Sequence, residues 1–271
     1  MSAQPTGTES AEDSPPLLRD PCVIAIVAQK GGVAKTTTTV NLAAALASRG
    51  LRVCVIDLDA QGSASKHLGV YDPDPGELLD ALERGDGLEA QEAAAGVDLV
   101  AGGTRLRELD RHAGDDSEVE LERLIERSRL GGSFVYDVVL IDTPPHLGLA
   151  TRSALAAADW IITPLQAQPG GMEGLVQTLE FLEAQRDFMA ARHLGTVITF
   201  HDRRSSLSGE VIELVDGFAR AARFGVTIPT NVAVARASGQ GVPVVAQDAR
   251  AAGARAYEQL ADEVLGRLAD G

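Results

Sequence analysis

Lysine is nearly missing from this chain: only three of its 24 basic residues are lysine, Lys30, Lys35 and Lys66. Two of them share one six-residue window, in a protein that writes almost all its positive charge as arginine. A compact ammonium that must fit among phosphate oxygens accounts for that placement better than scatter does. Cysteine is equally scarce. Cys22 and Cys54 each lie inside an apolar, strand-like run, which suits buried structural thiols and argues against a disulfide, a metal site or a cluster-binding loop. There is no apolar run of membrane-spanning length and no signal-peptide pattern, so a cytosolic chain is expected. Repeats and splitting linkers are also lacking. One α/β domain over 21–271 is expected, behind a disordered acidic tail at 1–20 rich in Ser, Thr and Pro.

A net charge of −15 argues at first against a nucleic-acid partner. The charge is unevenly spread, however. Asp72 to Glu120 holds 15 acids against 4 arginines, whereas Arg186 to Arg255 holds 9 arginines against 6 acids. Global charge therefore excludes little.

Short β-branched runs alternate with helix-like segments. Strands are expected at 22–28, 51–57, 97–101, 137–141, 160–163, 195–200 and 226–228. Helices fit at about 35–49, 76–84, 116–128, 151–157, 172–190, 208–223 and 253–268. This order predicts a doubly wound, mostly parallel sheet with helices on both faces. Ligands of such sheets sit beyond the carboxyl ends of the strands. There the chain carries QKGGVAKTT, DLDAQGS and DTPPHLG.

In the first of these loops Gly31 and Gly32 let the backbone approach an anion, and the helix starting at Lys35 adds its N-terminal partial charge. Lys35 takes the place of the lysine that reaches β and γ phosphates, and Thr36 that of the hydroxyl on Mg²⁺. Two glycines of the general phosphate loop are missing, with Gln29 and Ala34 in their places. A methyl group at Ala34 is tolerable only at negative φ, and negative φ is the expectation. The second loop offers Asp57 and Asp59, which alternation sends to one side, where a magnesium ion and a polarised water make two like charges useful. The third begins with Asp142, the second magnesium-side acid, and continues into a stiff Thr143-Pro144-Pro145 segment able to report a γ phosphate.

Together these stretches resemble the ParA/MinD ATPases, a family of P-loop NTPases with a deviant Walker A motif. KGGVAKTT matches that motif, DLDAQGS the second motif with Ala60 where proline is common, and YDVVLIDTPPHLG the Walker B region. The resemblance covers about residues 20–268 and is strongest to partition ParA proteins without an N-terminal helix-turn-helix domain. It implies a nucleotide site made of Lys30, Gly31, Gly32, Val33, Ala34, Lys35, Thr36 and Thr37, with adenine near Pro229 and the loop from Val232 to Ser238. It implies Mg²⁺ held at Thr36, Asp59 and Asp142, with Asp57 in support. It also implies catalysis by Lys35, by Asp57, by Asp59 acting on the attacking water, and by Lys30 reaching the nucleotide of the other subunit. The implied activity is slow hydrolysis of ATP to ADP by a nucleoid-associated, ATP-dependent homodimer. That dimer would bind double-stranded DNA non-specifically and be discharged by a ParB-like centromere-binding partner.

The chain departs from the family where DNA-linked arginines are usual, since Thr230 and Ala233 occupy those positions. Arg204 retains a match. Arg203, Arg204, Arg220, Arg223 and Arg236 are the candidate basic patch. His67, His112, His146, His193 and His201 show no ligand spacing. Two other functions compete. A MinD-like membrane-associated positioning ATPase needs a basic amphipathic C-terminal helix, but Ala254, Tyr257, Leu260, Val264 and Leu268 form a face suited to packing, with Arg267 as the only late cation. A metabolic phosphate-loop enzyme needs a second-substrate constellation that the sequence does not display.

Overall fold

The computed structural model describes residues 21–74, 76–85, 87–111, 117–132, 134–168, 170–218 and 222–270. The tail at 1–20, His112 and Arg220 lie outside the described residues.

The chain order is β1 (Cys22–Ile26), α1 (Lys35–Ala47), β2 (Val53–Asp57), α2 (Ser63–His67), α3 (Glu77–Arg84), β3 (Gln91–Glu92), β4 (Val97–Val100), α4 (Glu120–Leu130), β5 (Val138–Asp142), α5 (Leu149–Ala157), β6 (Trp160–Gln166), α6 (Gly171–Ala184), β7 (Arg192–His201), α7 (Ser206–Asp216), β8 (Thr227–Pro229), α8 (Val232–Gly239), α9 (Val244–Gln247) and α10 (Ala252–Asp270). The sheet runs β3-β4-β2-β5-β1-β6-β7-β8. Every described pairing is parallel except that of β3 with β4. β1, β2 and β5 are buried along their whole length, as strands covered on both faces must be.

Two apolar layers flank the sheet. One packs α1 and α10 against it, and the other packs α3 to α7. Small residues Ala43, Ala44 and Ala45 let α1 sink fully into its layer. Arg49, just past its end, joins α10 through Glu258 and Asp262. Ala254, Tyr257, Leu260, Val264 and Leu268 are all buried. Arg267 donates to the carbonyls of Leu194, Ala222 and Arg223 and lies 4.0 Å over the Phe224 ring. The last helix thus spends its apolar face and its late cation inside the domain.

Three departures from the expected elements have local causes. The two-residue β3 is polar and exposed, so it carries no apolar signature. Residues 232–238 are a helix rather than a loop, begun by the Asn231 side chain accepting from the Ala233 N–H. α7 stops at Asp216, ahead of Gly217, well short of 223.

Candidate nucleotide and magnesium site

Strand register brings the loops together before any side chain is considered. In β5, Asp142 pairs with Ile26 of β1 on one side and with Asp57 of β2 on the other. The loops leaving these strands are then tied to one another. Leu58 N–H donates to the Asp142 carbonyl at 3.0 Å, and Thr143 Oγ1 donates to the Ile26 carbonyl at 2.7 Å.

The loop between β1 and α1 is held at both ends. Gln29 N–H donates to Thr178 Oγ1 of α6, and the Val33 carbonyl accepts from Thr199 Oγ1 of β7. Between these anchors Gly32 adopts φ 75°, a conformation that favours glycine. Ala34 adopts φ 68° and ψ 33° as the residue preceding α1. This corrects the expectation of a negative φ. The anchored loop imposes a left-handed turn whichever residue stands there, and Ala34 bears the strain. Gly31 is not in the left-handed region, and a Cβ on it meets only Pro145, at 3.8 Å.

Lys35 is buried, with its ammonium donating to the Lys30 carbonyl at 3.5 Å. Burial pushes its pKa below the usual lysine value, while Asp142 and Asp59 pull it back up. An anion bound there would relieve that desolvation. Lys30 takes another course. Its stem passes over Gly174, where a Cβ would meet Lys30 Cβ at 3.4 Å, and its ammonium reaches the neighbourhood of Gly170. The first lysine therefore lies half-exposed across the start of α6, at the rim of the loop.

Thr36 Oγ1 donates to Asp142 Oδ2 at 2.7 Å, and Thr39 Oγ1 stands 3.0 Å from Oδ1. The Asp142 carboxyl is raised above its ordinary range by burial and by Asp57, and these hydroxyls oppose the rise. A hydroxyl and a buried carboxylate side by side beneath a phosphate loop form an oxygen donor set of the kind Mg²⁺ uses when phosphate and water complete its shell. Asp57 is also fully buried and raised by burial, but both its oxygens are occupied. Oδ1 accepts from Asp59 N–H, and Oδ2 accepts from Ser65 N–H and Ser65 Oγ. Asp59 is half-exposed, with Oδ1 accepting from Gln61 N–H. The two acids thus differ in kind, one sealed into its turn and the other facing the site.

A cavity of about 360 Å³ opens beside Ala34 and Thr37 and is lined by Ile228, Pro229, Val232 and Tyr257. Its apolar walls next to the phosphate loop suit a nucleobase.

The arginines separate. Arg203 and Arg204 are exposed in the turn after β7, and Arg236 is exposed on α8. The first two follow β7, and the third lies on the helix after β8, the strand at the edge of the sheet. Arg223 is committed elsewhere. It pairs with Asp216 and donates to the carbonyls of Phe224 and Gly225, which removes it from the free basic surface.

Thr39, Ser65 and Gly102 were not singled out in the sequence. Thr39 had a signal, lying one helical turn after Thr36 on the same face.

The family model described as "AAA domain" matches residues 22–192. The chain is 38% identical over 266 residues to the chromosome partitioning protein ParA of Caulobacter vibrioides, covering 92% of this chain and 95% of that protein. It is 36% identical to the chromosome-partitioning ATPase Soj of Thermus thermophilus, covering 90% and 96%. Among solved structures, cobyrinic acid a,c-diamide synthase from Mycobacterium smegmatis with bound ADP and magnesium is 29% identical, with a TM-score of 0.73 and coverage of 89% and 93%.

Proposed function

The chain belongs to the ParA/MinD family of ATPases, and from that premise we propose that it is a DNA-partition ATPase working as an ATP-dependent homodimer. ATP and ADP with Mg²⁺ are its cofactors. In this reading residues 21–271 are the ATPase unit. The backbone of Gly31, Gly32, Val33 and Ala34, with Lys35 and Thr37, binds the phosphates, and Pro229 and Val232 bound the base. Thr36, Asp59 and Asp142 would hold Mg²⁺, which would supply charge neutralisation at the phosphates. Asp59 orients the attacking water and accepts its proton. Asp57 acts through the shape of the turn that carries Asp59.

One observation carries the dimer. Lys35 already fills the lysine position of its own loop, and the Lys30 side chain, whose carbonyl Lys35 touches, runs away from it over the start of α6. A second cation beside Lys35 adds little to its own site, whereas one delivered to a facing subunit acts as an arginine finger does. Among the described residues a Cβ on Gly31 would make only an ordinary contact with Pro145, at 3.8 Å, and in this reading the glycine leaves room for the facing subunit to close. The closed dimer would bind double-stranded DNA non-specifically through Arg203, Arg204 and Arg236, and a ParB-like partner would speed hydrolysis and release it. Such a protein works on the nucleoid. No described helix is long and apolar enough to cross a membrane, and the engaged face of α10 gives a MinD-like surface anchor no support.

The test compares wild type with Lys30→Ala and Asp59→Ala for dimer formation with ATP and Mg²⁺, measured by light scattering, and for ATP turnover. Lys30→Ala is expected to lose both, and Asp59→Ala to keep the dimer and turn over poorly. Normal dimerisation and turnover in Lys30→Ala refute the trans role. Absence of any DNA shift at low salt by wild type with ATP refutes the partition reading.

A further inference from the structure

The loop after β4 was not among the strand ends read as chemical, yet it closes on the turn that carries Asp59. Gly102 is buried there, and its N–H donates to Ser65 Oγ at 3.1 Å. Ser65 Oγ in turn donates to Asp57 Oδ2 at 2.8 Å, and Asp57 Oδ1 accepts from Asp59 N–H at 3.1 Å. The line runs from β4 through one hydroxyl and one carboxylate to the amide of Asp59. Ser65 and Asp57 are both wholly buried, so water does not compete for these bonds.

A steric limit acts alongside the hydrogen bonds. A Cβ on Gly102 would come within 2.7 Å of the Asp57 carbonyl, 2.8 Å of Asp57 Cγ and 3.0 Å of the Asp59 carbonyl. Its φ is outside the left-handed region, so the position demands the absence of a side chain rather than a special backbone conformation. Gly102 therefore bears directly on the backbone on either side of Leu58. Among the described residues the Asp59 side chain is held only by Gln61 N–H, beside a cavity of about 240 Å³ shared with Arg107 and Pro145. Where its carboxylate stands is set by where its backbone is held.

We propose that Ser65 and Gly102 are positioning residues for Asp59: they lock the Asp57 carboxylate and backbone, and through them the amide and carbonyl of Asp59. The inference rests on the reading of Asp59 as the group that orients the attacking water. Outer-sphere partners and sub-ångström placement are typically worth about 10- to 100-fold in rate.

The test measures kcat, KM for ATP, and the fraction dimerised with ATP and Mg²⁺ for Ser65→Ala, Gly102→Ala, Asp59→Ala and the double variant Ser65→Ala/Asp59→Ala. Ser65→Ala and Gly102→Ala are expected to lower kcat by about 10- to 100-fold, with KM and dimer fraction within about 2-fold of wild type. On the Asp59→Ala background, Ser65→Ala should cost nothing further, because the group it positions is gone. Unchanged kcat in Ser65→Ala, a joint loss of kcat, KM and dimer, or additive losses in the double variant would overturn the proposal. If Gly102→Ala fails to fold, Ser65→Ala, which adds no atom against the backbone, decides alone. Normal turnover in Asp59→Ala instead refutes the role of Asp59. Slow Asp59→Ala beside normal Ser65→Ala refutes the positioning alone.

Discussion

Replacing Ala34 by glycine should stabilise the nucleotide-free protein. Ala34 sits at φ 68° and ψ 33°, where an L-residue with a Cβ is about 1–2 kcal/mol above its right-handed alternative. Glycine removes that strain but returns about 0.4–1 kcal/mol of conformational freedom to the unfolded chain. The difference of the two midpoints is a net gain of about 0.8 kcal/mol. At roughly 2–4 °C per kcal/mol for a domain of this size, the melting temperature should rise by about 1–4 °C. No side-chain hydrogen bond is lost, because Ala34 offers α1 only its carbonyl, which accepts from Thr38 N–H at 2.8 Å. Affinity for ADP should change by less than about 2-fold, since the backbone keeps its course. Thermal melts of the apo protein and a urea titration read the first quantity, and ADP titration calorimetry the second. Ala34→Val is the opposing control, because a β-branched residue tolerates positive φ least. If Ala34→Gly melts at or below wild type while Ala34→Val is neutral, the strain assigned to this turn does not exist.

Two further outcomes separate binding from folding roles. Arg223→Ala should lower stability by about 1 kcal/mol or more through loss of its bonds to Asp216 and to the Phe224 and Gly225 carbonyls. Arg203→Ala and Arg204→Ala should leave the melt unchanged and each reduce the salt dependence of DNA binding by about one unit of slope; the reverse pattern would refute the assignment of the basic surface. Both thiols are buried, and burial, aided by Asp159, pushes Cys22 up to about 12. Neither should react with a disulfide reagent at pH 8 until denaturant is added, so stoichiometric labelling of the native protein would contradict the core placement.

What could be read from the sequence was whatever the chain states locally. Strands β1, β2 and β5 announce themselves as short β-branched runs, and Lys35, Thr36 and Asp142 follow from the order strand, loop, helix. The pairing of Thr36 with Asp142 at 2.7 Å then follows from adjacency of β1 and β5 in a parallel sheet. Ala34 shows where local reasoning fails. Alanine's own preference is for negative φ, but Val33 is pinned by Thr199 and Gln29 by Thr178, and those partners lie more than a hundred residues away. The same holds for Arg223, whose charge is visible in the sequence while its capture by Asp216 is not.

Gly102 marks the limit most sharply. As one of two glycines after an apolar strand it reads as an ordinary turn, and its φ is unremarkable. Its necessity arises only when β4 lies against β2 in the register that pairs Val97 with Val53 and Val100 with Ile56. That register carries the next residues of both strands into contact, and a side chain there would collide with the turn bearing Asp59. The rule that ligands gather at strand ends already named this edge of the sheet. Applied to the loop after β4 as strictly as to the other three, it would have put Gly102 among the candidates, though not its partner Ser65, whose role depends on the rotamer of a buried carboxylate.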